Sequence, residues 1–408
     1  MTFLQIRFLA SGVLLTFLST FGQTFYISLF GRQIQQEFGL SHGGFGSIYS
    51  AGTLLSALCL IWVGKLADHI PMSRLGAATM LGLALFSAGL ATASQPWMLL
   101  VCVFGLRLCG QGMMVHLAMT AMSRWFLRFR GRALSVAGLG LPASETVLPV
   151  AAVALTASIG WRPTWYLAAG LLVLLAPFLV LLLRGEPEPG FDKSGGEAET
   201  ADAPADWSQS RVLRDPLFLG LMPGLLAMPF IVTGLFFHQV VLVELKGWSL
   251  AHYAASFPAY AAGTVLTSLL AGWAVDRFGS IALLRFFLFP MALGLLALDR
   301  IDGLVAAPIF MILTGITVGS TGTLFGALWA DLYGTRHIGA IRALVMSLGV
   351  AASALAPGLI GVLMDFGLPL SIQIRAMLVY LLLCIVLAFA LHGPLSSRIH
   401  GRPAASPS

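Results

Sequence analysis

The chain has 408 residues, of which 58% are hydrophobic and only 10% charged, with a formal net charge of +6. A soluble domain carries charge on about a quarter of its residues, so this composition excludes a water-soluble globule and calls for lipid as the solvent. The four cysteines (Cys59, Cys102, Cys109, Cys384) sit in apolar runs without CxxC or Cys/His spacing, which leaves no case for a metal centre or a disulfide framework.

A helix that crosses a bilayer needs about 20 apolar residues. Twelve such stretches are predicted, at 8–30, 45–63, 75–94, 97–122, 133–156, 164–183, 216–243, 251–273, 281–298, 304–330, 339–364 and 371–392. The first is too long for the apolar core of a cleavable leader and reads as a spanning helix. After the second stretch comes a polar signature, Gly64-Lys65-Leu66-Ala67-Asp68-His69. It returns after the eighth as Gly272-Trp273-Ala274-Val275-Asp276-Arg277-Phe278-Gly279. Both copies read as loops. Ser41 precedes Asp68 by the same number of residues as Ser249 precedes Asp276, each Ser opening an apolar stretch. Equal spacing makes the two halves copies of one multi-helix unit, the common architecture of a secondary transporter.

Between the sixth and seventh stretches, 185–215 is rich in Glu, Asp, Pro, Gly and Ser and reads as a hydrophilic linker. The expected organisation is a bundle at 1–184, the linker, a second bundle at 216–395 and a tail at 396–408. With twelve spans both termini share one side. Assigning it to the cytoplasm leaves only Arg32, Arg162, Lys246, Arg300 and Arg375 on the far side and Arg107 within a span, while the rest of the 23 basic residues, Arg128 and Arg336 among them, lie inside. That bias sets the orientation, and it accounts for the net charge without nucleic-acid binding. Trp97, Trp161, Trp165 and Trp248 are expected in an aromatic belt on the far side.

Arg107 and Glu145 are the two charged residues that fall near the middle of a span. Counted from the ends of the fourth and fifth stretches, their depths agree to within roughly 5 Å at 1.5 Å of rise per residue. An uncompensated charge there costs at least about 2.5–3.5 kcal/mol, so each needs a partner or a function. Arg107 can hold an anionic substrate with its planar fork, tune a neighbouring acid, or be neutralised by Glu145 as an ion pair. Glu145 can take and release a coupling proton.

The twelve stretches, the central linker and the doubled signature resemble the major facilitator superfamily, whose loop pattern is roughly G-x-L-x-D-R-x-G-R-R. Gly64, Leu66 and Asp68 match it, with His69 and Pro71 replacing the usual Arg and Gly, and the second copy keeps Gly272, Asp276, Arg277 and Gly279. Arg132-Ala133-Leu134-Ser135 and Arg342-Ala343-Leu344 enter the fifth and eleventh stretches at corresponding places, and Gly160-Trp161-Arg162 is similar to a common turn of the family. Arg107-Leu108-Cys109-Gly110-Gln111-Gly112 is similar to its fourth-helix motif R-x-x-Q-G, with Gln displaced by one place.

The resemblance implies an all-α membrane fold of two pseudo-symmetric six-helix bundles working by alternating access, with Asp68, Asp276 and Arg277 as gating residues. It also implies that helices 1, 4, 7 and 10 line the cavity. That makes Gln23, Tyr26, Arg107, Gln111, Thr233, Ser320 and Thr321 candidate substrate ligands, and Glu145 and His116 candidate proton carriers, with His238 weaker. One cation and one acid at the midplane suit a small organic anion moved with protons or by exchange, and the chain is similar to the monocarboxylate and oxalate/formate branches. The alternative is a proton-driven exporter of lipophilic compounds. No GxxxxGK[ST] loop is present and no catalytic cluster stands out, so ATP drive and enzyme activity are not expected, nor is a cofactor. The expected setting is the bacterial cytoplasmic membrane, as a functional monomer.

Overall fold

The computed structural model describes residues 3–126, 129–186, 207–334 and 337–400. Arg128, Arg336, most of the expected linker and the end of the tail lie outside the described residues. Within them there is no strand, and 12 helices are long and apolar enough to cross a membrane. These spans, numbered 1 to 12, are Leu4–Gly22, His42–Asp68, Met72–Thr92, Pro96–Trp125, Arg130–Ile159, Trp161–Leu182, Pro216–Phe237, Leu250–Phe278, Ser280–Arg300, Ala306–Tyr333, Ile338–Asp365 and Leu370–Arg398.

Two boundaries differ instructively from the hydropathy reading. Span 1 does not continue to residue 30, because Gln23 is extended (ψ 150°) and a separate run of short helices follows. Span 7 stops at Phe237, where His238 (φ −92°, ψ 23°) leaves helical geometry before a further helix, Gln239–Lys246. Each break falls at a polar pair, Gln23-Thr24 and His238-Gln239, set between apolar runs long enough for average hydropathy to pass over it.

Ser41 and Ser249 are N-caps: their hydroxyls accept from the Gly44 and His252 amides, satisfying donors that the first helical turn leaves free. The two signature copies, however, fold differently. The first is a 3₁₀ turn over Gly64–Asp68, whereas the second is not a loop: the helix runs on through Phe278. It ends only at Gly279, whose φ of 81° suits a residue without a Cβ.

The contacts group the chain into two units. Unit 1 comprises residues 1–196, 233–258 and 354–368; unit 2 comprises 197–232, 259–353 and 369–408. The far part of span 7 and the last turns of span 11 thus pack with the first six spans.

In unit 1, span 3 lies along span 6, and the rings of Phe21, Tyr26, Phe30 and Trp165 form a cluster of edge-to-face and tilted pairs at 5.2–5.6 Å. Trp165 is fully buried and Trp161 and Trp248 nearly so; only Trp97 is exposed as a belt residue would be. The turn before span 6 is held by Glu37, which accepts from Trp161 Nε1 at 3.0 Å and from Arg162 Nη2 at 2.6 Å. Arg162 also donates to the Ala91 and Ala93 carbonyls at the end of span 3. Hydrogen bonding from Arg162 holds the Glu37 carboxyl below its ordinary value, outweighing the opposite effect of partial burial.

In unit 2, Gly315 and Gly319 allow span 10 to approach span 8 closely: a Cβ at either would lie 2.3 Å from the Tyr260 or Thr264 carbonyl oxygen. Ahead of span 7, buried Asp215 accepts from Tyr333 Oη at 2.7 Å and pairs with Arg398. Burial pushes its carboxyl up, but Arg398 and Tyr333 together outweigh that and leave it below its ordinary value. Trp207 lies against Tyr333 and under the guanidinium groups of Arg211 and Arg398.

Candidate functional site

The break in span 1 and a glycine in span 4 create the site. A Cβ on Gly22 would lie 2.1 Å from the Leu106 carbonyl oxygen and 2.7 Å from Gly110 Cα, so the two backbones touch only because both residues are glycine. At this contact span 4 widens into a π-helix over Arg107–Met114. Such segments are rare and recur at functional sites. Arg107 opens it, 2% exposed, and its Nη1 donates to the Gly22 carbonyl at 3.0 Å and to Thr24 Oγ1 at 3.3 Å. Tyr49 of span 2 donates to the same Thr24 oxygen at 2.8 Å, and its ring lies 5.4 Å from the guanidinium carbon.

All three partners of Arg107 are neutral: a carbonyl, a hydroxyl and a π face. Its Nε has no partner among the described residues, and neither does the buried Oε1 of Gln111, one turn along the same segment. The Arg107–Glu145 ion pair, one of the alternatives the sequence left open, is not formed. The guanidinium turns instead to the carbonyl at the span 1 break. Glu145, 6% exposed in span 5, has neither an ion pair nor a hydrogen bond to its carboxylate among the described residues, although its neighbour Ser144 bonds Thr20 of span 1. Unit 1 therefore buries one cation and one acid that do not neutralise each other, a costly arrangement unless a ligand or proton completes it.

The other sequence candidates fall into different roles. Tyr26 is packed in the aromatic cluster, and Gln23 occupies the break itself. Thr233 is half-buried in span 7. In unit 2, the hydroxyls of Ser320 and Thr321 each donate to the Thr317 carbonyl of their own helix at 2.8 Å. His116 Nε2 bonds the Gly64 carbonyl at 3.2 Å, tying span 4 to the first signature turn. Asp68 pairs with Arg124, which also donates to the Ala67 carbonyl at 2.6 Å. Asp276 and Arg277 are exposed in the last turn of span 8 and have no ion pair among the described residues.

Sequence reasoning missed Tyr49 and a seam at the end of unit 1 that bears the 31–41 connection. There the Ser28 hydroxyl donates to the Phe236 carbonyl, and Gln239 Nε2 donates to the Phe25 carbonyl and the Ser28 hydroxyl, all at 2.7 Å. His238 Nε2 meets the Pro357 carbonyl and the Gly358 amide donates to Ser50 Oγ, both at 3.0 Å. Asp365 Oδ2 accepts from Ser41 Oγ at 2.7 Å and the Gly43 amide at 2.9 Å, so a span 11 carboxylate sits on the positive N-terminal end of span 2. A signal was present in the sequence: Gly43 and Gly46 share the spacing of Gly358 and Gly361, and these small residues bring the two backbones together.

The sequence profile of the Major Facilitator Superfamily matches residues 12–357. A gentisate transporter of Corynebacterium glutamicum is 25% identical over 350 residues, covering 82% of this chain and 76% of that protein. Two solved structures share the fold. A bacterial homologue of the human lysosomal transporter Spinster, inward-facing and unoccupied, superposes with a TM-score of 0.75 at 17% identity, covering 99% of this chain and 100% of that one. A point mutant of the nucleoside transporter NupG gives 0.65 at 12% identity, covering 96% and 99%.

Proposed function

This chain belongs to the major facilitator superfamily of secondary transporters, and we propose that it carries a small organic anion, a monocarboxylate or dicarboxylate, with Arg107 as the anion's ligand. The observation that carries this reading is a buried guanidinium whose contacts are all neutral and whose Nε is unpartnered. A carboxylate supplies the missing charge and can engage the guanidinium fork with two parallel bonds. Gln111 and Gln23 stand beside it as further polar ligands. Similarity to a protein named a gentisate transporter points the same way.

Glu145 is the proton carrier of this scheme, as a buried acid with no basic partner. Solute and proton move together or in exchange while the halves at 1–184 and 216–395 rock about the site. Asp68 with Arg124, and Asp276 with Arg277, work the gate on the side of the termini. The orientation has both termini in the cytoplasm of a bacterial cell, and the monomer is the working unit. The unpaired Glu145 equally favours a second reading, proton-driven export of lipophilic compounds.

Uptake by proteoliposomes of a panel of small carboxylates under an imposed pH gradient separates the two. Carboxylate flux that collapses in Arg107→Gln is the expected result. Gradient-driven movement of a lipophilic cation, with no carboxylate flux, would overturn the anion reading.

A further inference from the structure

His238 is a buried titratable group that the transport scheme leaves idle. It stands at the break after span 7, where the backbone leaves helical geometry, and is 2% exposed. Its Nε2 bonds the Pro357 carbonyl of span 11 at 3.0 Å. A carbonyl only accepts, so Nε2 carries the hydrogen and a second proton has to enter at Nδ1. We propose that His238 is a proton-operated latch: neutral, it lies sealed between span 11 and the start of span 2, and taking a proton drives the seam open on the membrane face opposite the termini.

Its surroundings suit an uncharged ring. The Phe237 ring stands nearly perpendicular to it at 5.0 Å and packs in turn on Phe45 and Tyr49 of span 2. Among the described residues no carboxylate bonds the imidazole. Asp365 of span 11 attracts a charge there, yet its Oδ2 is taken up by Ser41 and the Gly43 amide. His42, at the start of span 2, repels one. Arg32 and Glu244 are paired with each other at 3.5 Å, both at least half exposed, and largely cancel. Burial is the dominant influence and pushes the His238 imidazole down to about 4, against the opposite pull of the Pro357 carbonyl.

His238 also borders a cavity of about 240 Å³, shared with Arg32, Gln35 and His42 from residues 31–42 and with Glu244 from its own helix. Parting of those elements lets water reach the ring and restores its ordinary value of 6.5. The open form then binds the extra proton. The sealed form is therefore favoured above about pH 6.5 and loses ground as pH falls toward 4.

This latch rests on neither the cargo nor Arg107, and its test needs no solute. Hydrogen–deuterium exchange of the full chain in detergent, corrected for intrinsic rates, reads seam opening in peptides 41–56 and 354–365 at about pH 7.5 and about pH 5. Protection there should fall roughly 20-fold on acidification, the ratio that values of about 4 sealed and 6.5 open give. His238→Gln keeps an N–H for the Pro357 carbonyl but cannot titrate, so its seam should be equally protected at both pH values. His42→Gln should retain the acid response. Unchanged protection of the wild-type seam, an acid loss that persists in His238→Gln, or an equal loss in span 10 of unit 2 would overturn the latch.

Discussion

Replacing Gly46 by alanine puts a Cβ 2.3 Å from the Pro357 carbonyl oxygen, whereas ordinary contact begins at 3.4 Å. The obstacle is backbone, so spans 2 and 11 must part at the seam by about 1 Å. That separation takes the bond from the Gly358 amide to Ser50 Oγ from 3.0 Å to about 4 Å, beyond hydrogen-bonding reach. The two bonds to Asp365 lengthen with it. Losing one neutral bond, at about 1 kcal/mol, and weakening two to a carboxylate makes the sealed seam about 3 kcal/mol less favourable, or roughly 150-fold in its opening equilibrium. Hydrogen–deuterium exchange followed by mass spectrometry reads this directly. Peptides covering 41–56 and 354–365 should exchange up to about a hundredfold faster in Gly46→Ala, while span 10 keeps its rate. Gly131→Ala, whose Cβ meets nothing within 4 Å, is the matched control and should change neither peptide. Equal protection of the seam in wild type and Gly46→Ala would refute the close-approach argument.

Other perturbations test the remaining parts. Gln111→Leu removes a buried acceptor that has no partner, so the thermal midpoint should hold or rise while the apparent affinity for solute falls; a drop in the midpoint would show that Gln111 is structural. Because Glu37 has a lowered pKa, its clamp is complete above about pH 4.5 and is lost as pH falls through the lower folded value. The difference in melting temperature between wild type and Arg162→Gln should therefore be constant at neutral pH and shrink in acid, and a difference that grew on acidification would contradict the clamp. Asp215→Asn removes the buried acid that pairs with the partly exposed Arg398 and should destabilise unit 2 by about 1–3 kcal/mol, measured by denaturant unfolding of the purified protein. Gly22→Ala should cost at least about 1–3 kcal/mol and abolish uptake, since its Cβ would meet the Leu106 carbonyl oxygen at 2.1 Å.

Hydropathy made the spans legible because lipid imposes a length and an apolar composition on each, and the capping serines were legible because a free helix end needs an acceptor. The breaks after Gly22 and Phe237 were not, since the polar pairs that mark them, Gln23-Thr24 and His238-Gln239, are too short to lower the average hydropathy of the runs around them. Arg107 and Glu145 stood out in the sequence as charges inside apolar stretches, and both are buried. Whether they pair was left open, because sequence position gives depth along a helix and leaves the facing direction undetermined. The π-helix adds to that uncertainty. The one-place displacement of Gln111 from the family spacing was its trace: a widened turn holds an extra residue and keeps Gln111 near the azimuth that the shorter spacing would give it. The seam escaped for another reason. Its hydrogen bonds join residues more than 100 positions apart, and only the matched glycine pairs announced it.

The widened turn at Arg107–Met114 also bears on how such a carrier diversifies. In a regular helix, gaining or losing one residue rotates everything beyond it by about 100° and misplaces a whole face. Here the surplus residue is absorbed within two turns, so the portions of span 4 before and after it keep their own neighbours. Single-residue length changes in this segment would turn Arg107 against Gln111 while the packing of both helix ends persists. Specificity can then drift by insertion and deletion in a place where most membrane helices tolerate only substitution.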